Sequence, residues 1–235
     1  MLPRAERRLP RSISGSIFLA PLRRCSQLKG ATRLNARSPR NRKRGLHNSN
    51  SSHIVLVMRS NLRIKPAPKL RSQRLVLTPY VATDFDSAKL ILADPRVVWW
   101  RSTPMTDSEV HLFVDRSIVQ RESGFGWWLL REPSGPVLGQ AALKPLASPG
   151  GFIEVGYHLL PGARGYGFAT EAARALIDYG FSNLGLNEIH AVVLPSNAPS
   201  RAVMQRLGMP KFGMRLHADL DHDLFRIGHD EWARK

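Results

Sequence analysis

Between residues 161 and 167 the chain places Pro161, Gly162, Gly165 and Gly167 around a single arginine, Arg164, and then enters ATEAARALIDYG, a helix-forming stretch. So much bare backbone directly ahead of a helix narrows the folds available. The spacing predicts a helix over 170–183, beginning at Thr170 with Glu171 in its first turn. Ala169, Ala172, Ala173, Leu176, Ile177 and Gly180 share one face of small residues, while Arg174 and Asp178 point away. A face that small lets the helix lie close against a sheet. Ahead of it, Gly165 and Gly167 remove side chains where several N–H groups point the same way, beside the positive end of the helix dipole. That is an anion cradle suited to a diphosphate, and Arg164 adds a charge-assisted contact. The plainer alternative is a turn that lets a strand run into a helix.

The kind of phosphate loop can be narrowed. No Gly-Lys-Ser/Thr is present, which excludes the nucleoside-triphosphate loop. The glycines are spaced G-x-x-G-x-G, and this is not the dinucleotide pattern.

The flanking sequence reads as alternating elements. RLVLTPYV (74–81) alternates as a strand, and DFDSAKLILAD (84–94) is a short helix capped by Thr83 or Asp84 and stopped by Pro95. Val110, Phe113, Val114, Ile118 and Val119 have the spacing of a second amphipathic helix, ended by Gly124. FGWWLLRE and PVLGQAALKPL, joined by PSG, form a hairpin, and GFIEVGYHLL (151–160) follows as a third strand. After the loop and its helix come strand EIHAVVL, helix APSRAVMQRLG and two closing strands. Strands and helices in this order predict an α/β (α+β) domain, a mixed sheet with helices packed on it.

Charge divides the chain sharply. Of 35 Lys and Arg, 18 lie in residues 1–71 beside one acid, Glu6, so this part carries the whole net charge of +17. Residues 72–235 balance 17 bases against 17 acids. The global charge therefore describes a tail and gives no reason to expect nucleic acid on the domain. Residues 1–70 are Arg-, Ser- and Asn-rich without sustained period, and we expect them to be a disordered extension to a domain spanning 71–235. Three readings of the extension stand: a mitochondrial transit peptide, a polyanion- or ribosome-binding arm around RSPRNRKRG, or translation that starts at Met58. SISGSIFLAPL is too short and interrupted to span a membrane. Cys25, the single cysteine, excludes an intrachain disulfide.

Arg164, Gly167 and Ala169 fit R-x-x-G-x-A, and the loop resembles the acetyl-coenzyme A loop of the GNAT acetyltransferase superfamily. RGYGFATEA is similar to the version in the branch that acetylates ribosomal-protein N-termini (the RimJ/RimL type). RSQRLVLTPYVATDF resembles that branch's opening strand. IEVGYHLLP is similar to its fourth strand, NAPSRAVMQRLGM to the start of its last helix, and LFRIGHDEW to its terminal strand and closing tryptophan. The resemblance covers residues 71–233. It implies a mostly antiparallel mixed sheet of about six or seven strands flanked by about four helices, with the fourth and fifth strands splayed and the pantetheine arm between them.

The function implied is transfer of the acetyl group of acetyl-CoA, as co-substrate and without a metal, to a primary amine by direct attack. The acceptor is a peptide or protein N-terminus or a small amine. The alternative is a catalytically impaired acyl-CoA-binding regulatory protein of the same fold. The resemblance assigns the backbone of Tyr157, Leu159 and Leu160 to the pantetheine. Arg164, Gly165, Tyr166, Gly167, Phe168, Ala169 and Thr170 go to the diphosphate, and Asn197 to the cofactor arm. A cytoplasmic enzyme is expected, or a mitochondrial one if residues 1–57 are a transit peptide.

Glu154 is the candidate base, because its strand faces the acceptor; otherwise it pairs with a sheet neighbour. His158, on the same face of a regular strand, is a second base or a sheet histidine. Many family members place a tyrosine seven residues after the asparagine to protonate the departing thiolate. Met204 stands there instead, which leaves Ser200 as the replacement acid or as a helix cap. Trp99 and Trp100 are assigned to the acceptor side. Asp219, Asp221, His222 and Asp223 read as a solvated connection and not as a metal site.

Overall fold

The computed structural model describes residues 65–146 and 151–234. The readings placed on Cys25, Met58 and the basic run at 37–45 fall outside the described residues. Eight segments form strands: β1 (Leu70–Arg71), β2 (Val76–Pro79), β3 (Gly126–Arg131), β4 (Val137–Pro145), β5 (Ile153–Leu159), β6 (Glu188–Val193), β7 (Lys211–His217) and β8 (Leu220–Gly228), among the described residues. Among the described residues they make one mixed sheet in the order β1-β2-β3-β4-β5-β6-β8-β7. Every neighbouring pair is antiparallel except β5 and β6.

Among the described residues, five α-helices connect or close the strands. α1 (Phe85–Leu92) and α2 (Asp107–Arg121) link β2 to β3, α3 (Phe168–Leu184) crosses from β5 to β6, α4 (Ala198–Leu207) precedes β7, and α5 (His229–Trp232) ends the fold. A parallel pair needs such a crossover, and α3 provides it. The sheet exceeds the expected strand number because of β1, which is two residues long. The closing Trp232 sits on α5 and not on a strand, with its Nε1 donating to Asp178 at 2.6 Å.

The sheet has two differently used faces. On one, Leu77, Trp128, Leu130, Ala141, Leu143 and Val155 pack with Ala172, Ala173, Leu176 and Ile177 of α3. On the other, Trp127 and Tyr80 meet Phe113 of α2 edge-on at 5.6 and 5.5 Å. Residues before 71 take part in this packing. Ala67 is buried and its N–H donates to Arg121 O at 2.7 Å, while Trp128 Nε1 donates to Pro68 O at 2.8 Å. The folded part therefore starts upstream of the boundary read from composition.

α2 opens with a capping box in which Thr106 and Glu109 satisfy each other's backbone N–H groups. Its buried face differs from the expected one. Val119 is 63% exposed, and Ser117 is buried in its place, donating to Phe113 O at 2.8 Å. The face continues from Val110, Phe113 and Val114 to position 117. Position 117, two turns after Val110, stays on that face, whereas 119 is turned about 180° away from Val110.

The feature that positions the site is an interruption in the sheet. β5 pairs with β4 throughout, from Pro145↔Ile153 to Gly139↔Leu159. With β6 it shares one pair, Glu154↔His190. Beyond that pair the two parallel strands share no further ladder pair, which leaves a gap in the ladder along the β6-side edge of Val155–Leu159.

Candidate active site

The glycine loop closes one end of the gap. A 3-10 turn at Pro161–Ala163 leads into it, and Gly165 and Gly167 take φ of +87° and +84°. Those angles belong to the left-handed region that glycine enters without penalty. A Cβ built on Gly165 would meet nothing within 4 Å, so the loop borders open space. α3 begins at Phe168, two residues before the expected Thr170, with Gly167 as N-cap and no side chain capping it. The first intrahelical bond runs from Glu171 N to Gly167 O. The N–H groups of Phe168, Ala169 and Thr170 thus have no acceptor within the helix. Uncapped donors, the positive end of the dipole and the open space beside Gly165 fit the diphosphate of a coenzyme.

Arg164 braces this loop. Its Nε donates to Leu159 O at 3.2 Å and its Nη2 to Arg96 O at 2.7 Å. A second arginine on the loop carried no local signal in the sequence. Arg74 bonds Tyr166 O through Nη1 at 3.0 Å, pairs with Glu171 at 2.7 Å and lies over the Phe168 ring at 4.8 Å. Burial alone would raise the Glu171 carboxyl, but bonds from Arg74 N, Ser72 Oγ and the Arg74 guanidinium hold it below the usual range. Arg206 of α4 donates from Nε to Thr170 Oγ1 at 3.1 Å, which adds a third cation to the helix start.

α4 forms the far lip of the gap. Asn197 caps it, accepting from Ser200 N at 3.2 Å through Oδ1. Ser200 is therefore the capped residue and not the cap. Met204, one turn further, is buried. Tyr157 of β5 points to the same region: its hydroxyl is shut from solvent and faces Ser200.

The acceptor-side face of β4 and β5 carries the other candidates. Glu154 sits opposite Lys144 in the strand register and the two form an ion pair, both largely enclosed. The sheet-neighbour pairing of Glu154 is thus present, at the floor of the gap. His158 lies between Trp100 and Trp127, with ring centroids 4.9 and 5.2 Å away. Trp99 is exposed and packs edge-on against Trp100 at 6.0 Å.

A buried donor chain fixes the histidine's tautomer. Tyr80 donates its hydroxyl to Gln140 Oε1 at 2.5 Å, and Gln140 Nε2 faces His158 Nδ1 at 3.1 Å. An amide nitrogen only donates, so Nδ1 accepts and the ring proton sits on Nε2. Burial, and then Lys144, push the His158 pKa down to about 4. Both observations make His158 a neutral donor and a poor base.

That burial has a measurable consequence. An unfolded histidine titrates near about 6.5, so between there and the folded value the unfolded chain binds the extra proton. Stability is lost as pH falls through that window. From pH 7 to pH 5, His158 should remove about 2 kcal/mol. Denaturant unfolding of the full chain and of His158→Gln checks this, since His190 and His217, also lowered by burial, act equally in both. Equal losses in the two proteins would rule it out.

Asp223 is buried and paired with Lys211 at 2.6 Å and Arg201 at 3.6 Å, so its carboxylate is already engaged. Among the described residues, no group of three or more His, Cys, Asp and Glu could hold a metal, and no helix is long and apolar enough to cross a membrane.

Residues 74–210 match the family model described as the acetyltransferase (GNAT) domain. The "Uncharacterized N-acetyltransferase p20" of Bacillus licheniformis is 32% identical over 151 residues, 62% of this chain and 84% of that protein. The "FsC-acetyl coenzyme A-N(2)-transacetylase" of Aspergillus fumigatus is 30% identical over 160 residues, 63% of this chain and 67% of that one. Among solved structures, Mycobacterium smegmatis RimJ in complex with CoA-disulfide is similar at a TM-score of 0.57 and 24% identity, covering 72% of this chain and 89% of the other.

Proposed function

The chain belongs to the GNAT acetyltransferase family and is an acyl-CoA-dependent N-acetyltransferase, and from that premise we infer that it acetylates a primary amine brought to the acceptor-side face of β5. The observation that carries this reading is the gap beyond Glu154 and His190, continuous with an uncapped, cation-flanked helix start.

When bound, acetyl-CoA supplies the activated acyl group. The N–H groups of Phe168, Ala169 and Thr170, with Gly165, Tyr166, Gly167 and Arg164, hold the diphosphate. The open edge of β5 at Tyr157, Leu159 and Leu160 holds the pantetheine, and the Asn197 amide keeps its Nδ2 donors for the same arm. A β5 N–H beside the gap polarises the thioester carbonyl, and alignment of the two reactants supplies much of the acceleration. Glu154 takes the proton of the attacking amine, directly or through water. Trp99, Trp100 and Trp127 wall the acceptor groove, with His158 Nε2–H as a donor on its floor. Ser200 stands at the departing sulfur in place of the family's tyrosine. The stretches RGYGFATEA and LFRIGHDEW support placement near the ribosomal-protein N-terminal branch, for which an α-amino group is the acceptor.

Isothermal titration of the full chain with acetyl-CoA tests the cofactor site. We expect micromolar binding, weakened more than ~30-fold in an Arg164→Glu, Gly167→Trp double variant, which reverses a charge and fills the cradle. A panel of N-terminal peptides, polyamines and amino acids, read by release of free thiol, then identifies the acceptor. A folded wild type that binds no acetyl-CoA would overturn the reading. One that binds but turns over no amine would favour the regulatory alternative.

A further inference from the structure

Three hydroxyl-bearing or hydroxyl-replacing positions meet at the α4 lip of the gap, and they are unequally used. Met204 has no proton to give and is buried. Ser200 is half-buried, and Asn197 caps the helix by accepting from its backbone N–H, so the serine hydroxyl is not the cap. Tyr157 comes from β5, on the opposite wall, with its ring against the α3-side core. Its hydroxyl oxygen is closed to solvent, has no formed hydrogen bond, and has Ser200 as its side-chain neighbour. A buried donor left unsatisfied is costly, and Ser200 is the side-chain hydroxyl beside it.

We propose that Tyr157 is a positioning residue for Ser200: its hydroxyl donates to Ser200 Oγ and turns the serine's own O–H into the gap, toward the sulfur of the departing thiol. This rests on the reading of the gap as the acetyl-CoA site. Two features suit the role. Burial pushes the Tyr157 pKa up to about 12, with Ser200 and Arg206 pulling against it, so the phenol remains a donor at every working pH. The Arg206 cation near the pair also favours negative charge developing beside it.

The bookkeeping of the reaction closes without another reactant. As the C–N bond forms, the C–S bond breaks and its electron pair stays on sulfur. The amine loses one proton and the thiol gains one. Tyr157 and Ser200 keep their protons and act by hydrogen bonding. A thiol with an ordinary pKa near about 8.5 needs this stabilisation more than it needs a strong acid.

The test reads the thiol directly and needs no acceptor. CoA bound to the full chain is titrated through its thiolate ultraviolet absorbance, in wild type, Tyr157→Phe, Ser200→Ala and the double variant. Loss of one hydrogen bond to a charged sulfur should raise the bound thiol's pKa by about half to one unit. That is a 3- to 10-fold loss of thiolate at fixed pH. Each single variant should show this shift, the double variant should show no more, and CoA affinity should stay within about twofold. A Tyr157→Phe protein that titrates as wild type, or single shifts that add in the double variant, would overturn the proposal while CoA binding stands. Failure of wild type to bind CoA would instead remove the cofactor site itself, and the proposal with it.

Discussion

Gly139→Ala is expected to cost the fold about 3 kcal/mol or more and to weaken acetyl-CoA binding at the same time. Gly139 sits in β4 at φ +153°, and a Cβ there would lie 2.2 Å from His158 O and 2.9 Å from Leu159 Cα. Both obstacles are backbone, so no rotamer relieves them. The neighbouring bulge, where Leu130 pairs with Gly139 but Arg131 pairs with Val137, uses up the local slack. Relief requires β5 to move away from β4 at His158 and Leu159, the segment that lines the gap. Denaturant unfolding and acetyl-CoA titration of the variant measure the two effects. Gly162→Ala is the control, because a Cβ there meets nothing within 4 Å, and it should stay within about 0.5 kcal/mol of wild type. A Gly139→Ala protein as stable as this control would contradict the packing described.

Glu154→Gln should lower kcat/KM on the order of 10²- to 10³-fold at pH 7 while leaving acetyl-CoA affinity nearly unchanged. The loss should shrink as pH rises. A peptide α-amino group titrates near roughly 8, and above that the acceptor arrives neutral without help. Lys144 complicates the interpretation, because removing the carboxylate leaves its cation enclosed without its partner. Lys144→Met separates the two effects: it breaks the same ion pair but keeps the carboxylate, and should retain activity within about tenfold. Equal losses in both variants, with no recovery at high pH, would make the pair a structural brace and leave the amine to lose its proton to solvent.

The local features of the fold were legible, and features that depend on register or distant partners were not. Alternation placed the strands, and Val110, Phe113 and Val114 are buried as their spacing required. The loop was legible because Gly165 and Gly167 adopt backbone angles that few other residues accept. The start of α3 was misplaced because Thr170 is the better capping residue by type. The chain instead turns at Gly167 and leaves the donors uncapped, a choice that favours a ligand over helix propensity. Ser117 and not Val119 is buried because 110, 113, 114 and 117 share one helical face that 119 leaves. Around the site, Arg74 contacts Glu171 across 97 positions, and Gln140 links Tyr80 to His158 across two strands. Such partners become visible only once the strands are aligned. Glu154 was recognisable as a candidate, but its pairing with Lys144 follows from a cross-strand register that no short motif encodes.

The single pair joining β5 to β6 has a mechanical meaning for the whole domain. Across that line the hydrogen-bond ladder carries almost no load, so the sheet behaves as two slabs, and α3 is the beam laid over the joint. At Gly180 the beam has no clearance: a Cβ would come within 2.8 Å of Ile189 on one slab and 3.1 Å of Leu143 on the other. With 17 residues, the beam is about 25 Å long and starts at the glycine loop. The spacing from loop to gap is thus gauged by a helix, which stretches little. The slab bearing the β7–β8 hairpin can alter its surface, and the width of the groove it borders, while that gauge stays fixed.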